Sequence, residues 1–178
     1  MTLQTKIRDL FPLVDLIPHP EGGCFRETCR SGCETMSTAG QTGLACKDPN
    51  VNLVVANGRF DNRPDKDERR NALTSIFWVP TAKDPVLRLA KNCSDHVHYY
   101  HGGLPFRYFL FNPTTGEFST AVLGPELHKG HVLQVTVKGG IWKCGRIETD
   151  EESNTDYDYV LIGEAVAPGF DFHDFTYI

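Results

Sequence analysis

The sequence predicts an all-β protein, a β-sandwich or barrel preceded by one short helix. About ten short apolar or alternating runs follow Pro20, separated by Gly, Pro, Asn and Asp, and such runs are typical of strands joined by turns. Helical periodicity is confined to the first residues. Many short strands in one domain favour a sandwich or barrel over a helical or α/β fold.

The N-terminal segment, residues 1–16, carries the helix signal. Its apolar residues recur at a spacing close to one helical turn, and Pro12 interrupts the pattern. The spacing predicts a short amphipathic helix in this segment. The residues on its apolar face are Leu3, Ile7, Leu10, Phe11 and Val14.

The predicted strands share alternation or a short apolar core between turn residues. They are CFRETCR, NLVVANG, LTSIFWV, PVLRLA, HVHYYH, FRYFLF, FSTAVL, VLQVTV, YVLIGEAVA and DFHDFTYI. FRYFLF and FSTAVL flank NPTTGE, in which Asn, Pro and Gly favour a tight turn, so these two strands should form a hairpin.

The length of 178 residues suits one compact domain, residues 1–178. Within it, residues 33–70 are polar and rich in turn residues, and we interpret them as a loop-rich insertion around one strand. A further acidic loop is predicted at RIETDEESNTDYDY.

Charge and hydropathy exclude two classes of partner. The net charge of -5 and the absence of a basic cluster argue against nucleic acid. No apolar run is long enough for a membrane span, and no secretory signal is evident, so the sequence predicts a cytoplasmic protein. In that setting we expect free thiols rather than disulfides at the six cysteines, Cys24, Cys29, Cys33, Cys46, Cys93 and Cys144.

The run CSDHVHYYHGG is the densest cluster of candidate functional side chains. On a regular strand His96, His98 and Tyr100 share one face, while Asp95 and His101 share the other. Two imidazoles two residues apart can converge on one metal ion. Hydrogen-bonded histidines without a metal fit the same spacing equally well.

Four phrases resemble the cupin superfamily, and specifically its cupin 5 subfamily of unknown function. They are PHPEGGCFRET, CSDHVHYYHGGLPF, LGPELHKGHVLQVTVKGGIW and VAPGFDFHDF, in the order found in that subfamily. The resemblance implies a double-stranded β-helix, or jelly roll, with a small-molecule pocket inside the barrel. It also implies a homodimer.

The resemblance does not favour a metal cofactor. Aligned with the metal-binding cupin motifs, the two histidine places fall near Leu89 and Lys91, and KGGIWKCG has no histidine. We therefore expect no cofactor. A divalent metal, if one is bound, would use His96, His98 and His101, although His101 faces away from the other two on a regular strand.

The stretch IPHPEGGCFRETCR supplies the other candidate ligand-binding residues. Alternation places Arg26 and Thr28 on one face of the strand, where they could donate hydrogen bonds to an anionic or hydroxylated ligand; an edge strand with a solvated face is the alternative. His19 and Glu21 stand beside Gly22-Gly23, which should form a bend. Asp95 and Trp142 complete the predicted ligand-binding set.

Three functions compete at this point. The first is a cupin that binds a small polar or anionic metabolite through Arg26, Thr28 and His98. The second is a metal-independent sugar-nucleotide epimerase or isomerase in which His98 and Tyr100 transfer protons. The third is an atypical metal-dependent cupin enzyme. The sequence does not choose between them, because cupins carry several chemistries on one fold.

Overall fold

The computed structural model describes residues 16–31, 34–35, 44–45, 53–55, 69–148 and 158–178. These residues form two antiparallel sheets that face each other, with two further short strand pairs. All of the predicted helical segment 1–16 except Leu16, and most of the predicted insertion at 33–70, lie outside the described residues.

One sheet has six strands in the order β1-β2-β7-β14-β9-β12. Their bounds are β1 Ile17–Pro18, β2 Cys24–Arg30, β7 Thr74–Val79, β14 Val160–Ala167, β9 Asp95–Gly103 and β12 Gln134–Val137.

The other sheet has five strands in the order β11-β10-β13-β8-β15. Their bounds are β11 Phe118–Leu123, β10 Phe106–Phe111, β13 Trp142–Ile147, β8 Val86–Asn92 and β15 Phe175–Tyr177. The short pairs are β3 Glu34–Thr35 with β4 Leu44–Ala45, and β5 Leu53–Val55 with β6 Arg69–Asn71. Two short helical turns lie at Leu127–Lys129 and Phe172–Asp174.

The chain crosses repeatedly between the two sheets. From β7 to β10 each successive strand lies in the other sheet, and β12, β13 and β14 alternate in the same way after the β10–β11 hairpin. This succession is a jelly roll, so the predicted all-β fold is confirmed. The hairpin is confirmed as well, because Phe111 pairs with Phe118 across the NPTTGE turn.

Five of the strands escaped prediction: the short strands β1, β3, β4 and β6, and the longer β13. WKCGRI forms β13 in the middle of the five-stranded sheet, although its lysine, glycine and arginine weaken the apolar pattern that identifies a strand. Its inward positions are Lys143, Gly145 and Ile147, all of which are buried. Strand β13 therefore also carries a buried charge.

The core fills the space between the sheets with aromatic and branched side chains. Phe106 lies between Trp78 and Tyr108, with ring centroids 5.2 and 4.9 Å away and edge-on geometry. Such pairs add to the burial of their apolar area. The other buried members of this cluster are Leu87, Leu123, Val135, Val137, Ile147, Val160 and Ile162.

The Gly22-Gly23 bend brings the chain into the sheet at β2. Both residues have positive φ, 108° and 67°. A Cβ at Gly22 would lie 2.3 Å from the Val86 carbonyl oxygen, and one at Gly23 would lie 2.8 Å from that of Val79. The predicted bend thus requires glycine twice, for its dihedral angles and for the close approach of β7 and β8.

A buried ion pair fastens the C-terminal segment to the body of the protein. Two nitrogens of the Arg70 guanidinium donate to the Asp174 carboxylate at 2.7 and 2.6 Å. Both side chains are almost fully buried. Such a two-bonded geometry offsets the cost of removing both charges from water.

Asp174→Ala should destabilise the protein by about 3–5 kcal/mol, since it removes the carboxylate that neutralises a buried guanidinium. Urea unfolding followed by circular dichroism measures this loss. The matched control is Lys138→Ala, which breaks the exposed pair with Asp95 and should cost less than about 1 kcal/mol. Equal losses in the two variants would contradict the assignment.

Candidate functional site

A cavity of about 80 Å³ lies between the two sheets beside the core. Most of the surface of its wall is apolar, and its charged and imidazole side chains form three clusters described below. The lining residues are His19, Glu21, Phe25, Glu27, Arg30, Thr74, Ile76, Trp78, Leu87, His96, His98, Lys143, Glu164, Val166, Phe170 and Phe172.

The first cluster is created by the register of β9 against β14. Glu164 pairs with His98 across the two strands, and its neighbour on the same face, Val166, pairs with His96. Because directly opposed residues point to the same side of a sheet, the Glu164 carboxylate faces both imidazoles. All three side chains are buried.

The distances within this cluster give the two histidines different partners. His96 Nδ1 lies 2.5 Å from Glu164 Oε1, whereas His98 Nδ1 lies 3.6 Å from Glu164 Oε2 and 3.1 Å from the Tyr108 hydroxyl. Both Nε2 atoms are buried and have no hydrogen-bond partner among the described residues. The Nε2 atoms are therefore the sites left for a ligand.

Burial and charge set the protonation of the cluster. Burial lowers the pKa of His98 to about 3, so this imidazole is neutral at physiological pH. Burial raises the pKa of Glu164, but the nearby Lys143 charge and the hydrogen bond from His96 outweigh it and keep the carboxyl ionised. Burial, with Glu164 and Glu21 nearby, raises the pKa of Tyr108 well above its usual value, so its hydroxyl stays protonated.

The second polar cluster joins the five-stranded sheet to the bend before β2. Lys143 Nζ donates to Glu21 Oε2 at 3.1 Å, and both side chains are buried. Burial lowers the pKa of Lys143, yet attraction to Glu21 and Glu164 raises it overall, so the ammonium stays charged. The Glu21 backbone N–H donates to His19 Nδ1 at 3.1 Å, which fixes the bend beside this ion pair.

The third cluster is an ion pair on β2. Arg30 donates from two nitrogens to the Glu27 carboxylate at 2.9 and 2.7 Å. It also donates to the Asn71 side chain and to the Phe170 carbonyl oxygen. These contacts hold Arg30 against the C-terminal segment, on the part of the wall that includes Phe170 and Phe172.

The structure brings three of the predicted ligand-binding and catalytic residues into the cavity wall, namely His19, Glu21 and His98. Arg26 and Thr28 do not line it. The cavity is instead lined by Phe25 and Glu27, which alternate with Arg26 and Thr28 along the strand. The face of β2 that lines the cavity is therefore opposite to the one predicted from the sequence.

A β-bulge after Glu27 explains why Arg30 also faces the cavity. Glu27 pairs with Ile76 and Cys29 pairs with Ser75, so Thr28 is an extra residue. Its hydroxyl donates to the Ser75 carbonyl oxygen. The bulge shifts the alternation by one residue, and Arg30 therefore turns to the same side as Glu27.

The other predicted residues lie away from the cavity wall. The Tyr100 hydroxyl donates to the Gly103 carbonyl oxygen at 2.6 Å and the ring packs against the core. Asp95 accepts hydrogen bonds from Lys138 and from the Gly139 backbone. Trp142 alternates with the inward Lys143, and its ring contacts the Lys91 ammonium instead.

His96, His98 and Glu164 could together hold a metal ion. Each offers one nitrogen or oxygen atom, and these atoms lie within 4.8 Å of one another. Two imidazoles and a carboxylate suit divalent ions such as Zn²⁺, Fe²⁺ or Mn²⁺, so the donors fit such an ion in kind. The predicted third imidazole is corrected: His101 is exposed, and its ring contacts Phe77 rather than His96 or His98.

Two residues central to this cavity escaped prediction, Glu164 and Lys143. Glu164 interrupts the apolar run VLIGEAVA, and a charge placed inside an otherwise buried strand is a signal that sequence reasoning can use. Lys143 gave no such signal, because its strand was itself missed. Only the pairing of the strands shows that both charges face the cavity.

The jelly roll with a ligand-sized cavity between its sheets defines a cupin-type barrel. The family model described as "Cupin superfamily (DUF985)" matches residues 8–178. The chain therefore belongs to this family of the cupin superfamily, as the four sequence phrases indicated.

Similar proteins support the family and leave its function undefined. The uncharacterized protein YML079W of Saccharomyces cerevisiae is 31% identical over 163 residues, which cover 92% of this chain and 70% of the yeast protein. A hypothetical protein from Leishmania major has a TM-score of 0.72 at 24% identity, with 97% of this chain and 86% of that chain covered. A protein from Shewanella oneidensis has a TM-score of 0.69 at 25% identity, with 98% and 85% covered.

Two predictions from the sequence can be compared with the described residues. Cys24, Cys29 and Cys144 form no disulfide, as expected. Among the described residues no helix has the length and apolar character that a membrane span requires.

The neutral His98 makes a pH prediction for the metal-free protein. The unfolded chain binds a proton at His98 below pH 6.5, whereas the folded chain does so only near pH 3. Stability should therefore fall as the pH drops below 6.5. Between pH 7.5 and 5 the free energy of unfolding should fall by about 2 kcal/mol because of His98. In urea unfolding, His98→Asn should show a fall smaller by that amount, and an unchanged fall would contradict the assignment.

Proposed function

We propose that this chain is a cupin that binds a small polar metabolite in the cavity of its barrel. One observation carries the proposal: His96 and His98 line a cavity whose wall surface is largely apolar, and each has a buried Nε2 atom without a hydrogen-bond partner among the described residues. Buried polar atoms are normally satisfied, so a ligand that bonds to both nitrogens would remove a cost of the folded state. Apolar walls with a few convergent polar groups are typical of small-molecule sites.

The size of the cavity limits the ligand. A volume of about 80 Å³ corresponds to about half a dozen water-sized positions. A three- or four-carbon sugar or a metabolite of similar size is of that order, whereas the nucleotide part of a sugar nucleotide would lie outside the cavity. The homodimer and the cytoplasmic location stay predictions.

A thermal-shift screen of small polyols, sugars and carbonyl compounds tests the binding function. A ligand present at about 100 times its Kd should raise the melting temperature by about 5 to 10 °C. Ile76→Phe, which adds bulk to the cavity wall, should abolish the shift. The matched control Leu127→Phe lies on an exposed turn and should keep it; a screen without any shift would remove support for binding.

A second candidate function is proton transfer, as in an isomerase or epimerase of a carbohydrate derivative. The short contact between His96 Nδ1 and Glu164 favours it. The ionised Glu164 accepts the Nδ1–H of His96, which leaves His96 Nε2 as a base. The Tyr108 hydroxyl donates to His98 Nδ1, which leaves His98 Nε2–H as a donor.

These roles define one balanced reaction. His96 takes a proton from the carbon beside a carbonyl group, the electron pair of that C–H bond moves to the carbonyl oxygen, and His98 Nε2–H stabilises the resulting enolate. Protonation of that carbon by solvent on the opposite face, with release of the His96 proton to solvent, inverts that centre. In a hydroxycarbonyl compound, transfer of the hydroxyl proton to the enolate oxygen and return of the His96 proton to the former carbonyl carbon isomerise the compound. Tyr100, which the sequence paired with His98 for proton transfer, takes no part in this reaction, because its hydroxyl is bonded to Gly103.

Exchange of carbon-bound protons in deuterated water tests this reaction. With hydroxycarbonyl compounds and keto-sugar nucleotides as substrates, His96→Gln and Glu164→Gln should each slow exchange by about 10²–10⁴-fold. The control His128→Gln lies on an exposed turn and should exchange at the wild-type rate. If no compound of the panel exchanges, the proton-transfer function is wrong, whereas ligand binding could still stand.

A divalent metal held by His96, His98 and Glu164 is the alternative to proton transfer by these residues. A bound ion would supply a Lewis acid beside the cavity. Elemental analysis of protein purified without a histidine tag tests it. About one ion per chain, lost in His98→Ala, would favour the metal-dependent enzyme, and substoichiometric metal would count against it.

A further inference from the structure

Four of the five charged side chains in the described cavity wall form two ion pairs with one another without a ligand. Two cationic side chains, Lys143 and Arg30, and three carboxylates belong to the described wall. Lys143 is bonded to Glu21, and Arg30 is bonded to Glu27. The third carboxylate, Glu164, faces the two imidazoles.

Lys143 is the cation nearest to the histidine cluster, and its charge is already neutralised. Glu21 approaches it from the bend before β2 at 3.1 Å, and both side chains are buried. Glu21 is held in place on each side, because its backbone donates to His19 and the following Gly22 carbonyl oxygen accepts from Trp78 Nε1 at 2.9 Å. An anionic ligand would have to compete with a fixed, buried carboxylate for this lysine.

The charge of Arg30 is likewise neutralised, by Glu27. Its guanidinium makes two hydrogen bonds to Glu27, one to the Asn71 side chain and one to the Phe170 carbonyl oxygen. Binding an anion would break part of this set and bring the anion close to Glu27. Within the described wall, neither cation is therefore available to a carboxylate or phosphate.

We infer that the cavity selects its ligand by charge: it binds uncharged hydroxyl or carbonyl compounds and disfavours their anionic analogues, with Glu21 as the residue that sets this preference. The inference rests on the proposed binding function and narrows its ligand class. Like charges brought together in a buried site are repelled strongly, and this repulsion excludes wrong partners more than it strengthens binding to the right ones. Glu21 is a positioning residue in this role, since it acts through Lys143.

Acetamide and acetate are the probes, because they have the same shape and differ in charge. The two tryptophans of the chain provide a reporter and its control: Trp78 lines the cavity, whereas Trp142 contacts Lys91 elsewhere. Indole N–H shifts in proton–nitrogen correlation spectra at pH 7.5 give the Kd of each probe. In the wild type, Trp78 should respond to acetamide with a Kd at least about tenfold lower than for acetate, and Trp142 should respond to neither.

Glu21→Gln keeps the shape of the side chain and removes the carboxylate that is bonded to Lys143. It should shift the acetate-to-acetamide preference towards acetate by at least about tenfold. The double variant E21Q/K143Q removes both charges and should lose that shift. If Glu21→Gln does not fold, Lys143→Gln is measured instead, and it should disfavour acetate more strongly than the wild type does.

The outcomes separate the inference from the proposed function. Equal affinity for acetate and acetamide in the wild type, or an unchanged preference in the variants, overturns charge selection while binding stands. If neither probe moves Trp78 at saturating concentration, the cavity is closed to small ligands, and both the inference and the binding function are wrong.

Discussion

The buried carboxylate of Glu164 is the constraint on which this site depends. It stands on a central strand, opposite His98 and beside His96, and all three side chains are buried. A carboxylate there requires partners, because an isolated buried charge is very costly. The hydrogen bond from His96 and the nearby charge of Lys143 stabilise its ionised form.

The buried ammonium of Lys143 also requires a partner, and that partner comes from the segment before β2. The partner is Glu21, which is positioned by a bend whose dihedral angles require Gly22 and Gly23. The buried charges of Glu164, Lys143 and Glu21 thus stabilise one another and connect the six-stranded sheet, the five-stranded sheet and the bend before β2. We expect these charges to favour one arrangement of the site, since each buried charge loses stability if its partner moves.

The same arrangement links fold and function. Apolar packing around Trp78 and Phe106 closes one side of the cavity, so the histidines operate in a low-dielectric environment. There the partner at Nδ1 decides what each Nε2 offers, an acceptor at His96 and a donor at His98. Two identical residue types on one strand face therefore acquire opposite proposed roles from their neighbours on β14 and β10.

Much of the fold was predictable because it depends on local patterns. Alternating strands, the NPTTGE hairpin and the Gly22-Gly23 bend each follow from a few neighbouring residues. The site was less predictable. A one-residue bulge at Thr28 altered which side chains of β2 face the cavity, and β13 lacked the apolar pattern that would have shown its position.

By itself the sequence predicted the all-β class and the shared face of His96 and His98, because alternation along a strand is a local property, and its resemblance to the cupins implied the jelly roll and the family. Only the tertiary structure decided which residues complete the site. Glu164 joins the histidines through pairing 66 residues further along the chain than His98, and Lys143 and Glu21 meet across 122 residues. Such contacts depend on strand register and on the facing of two sheets, and no local spacing in a single sequence encodes either.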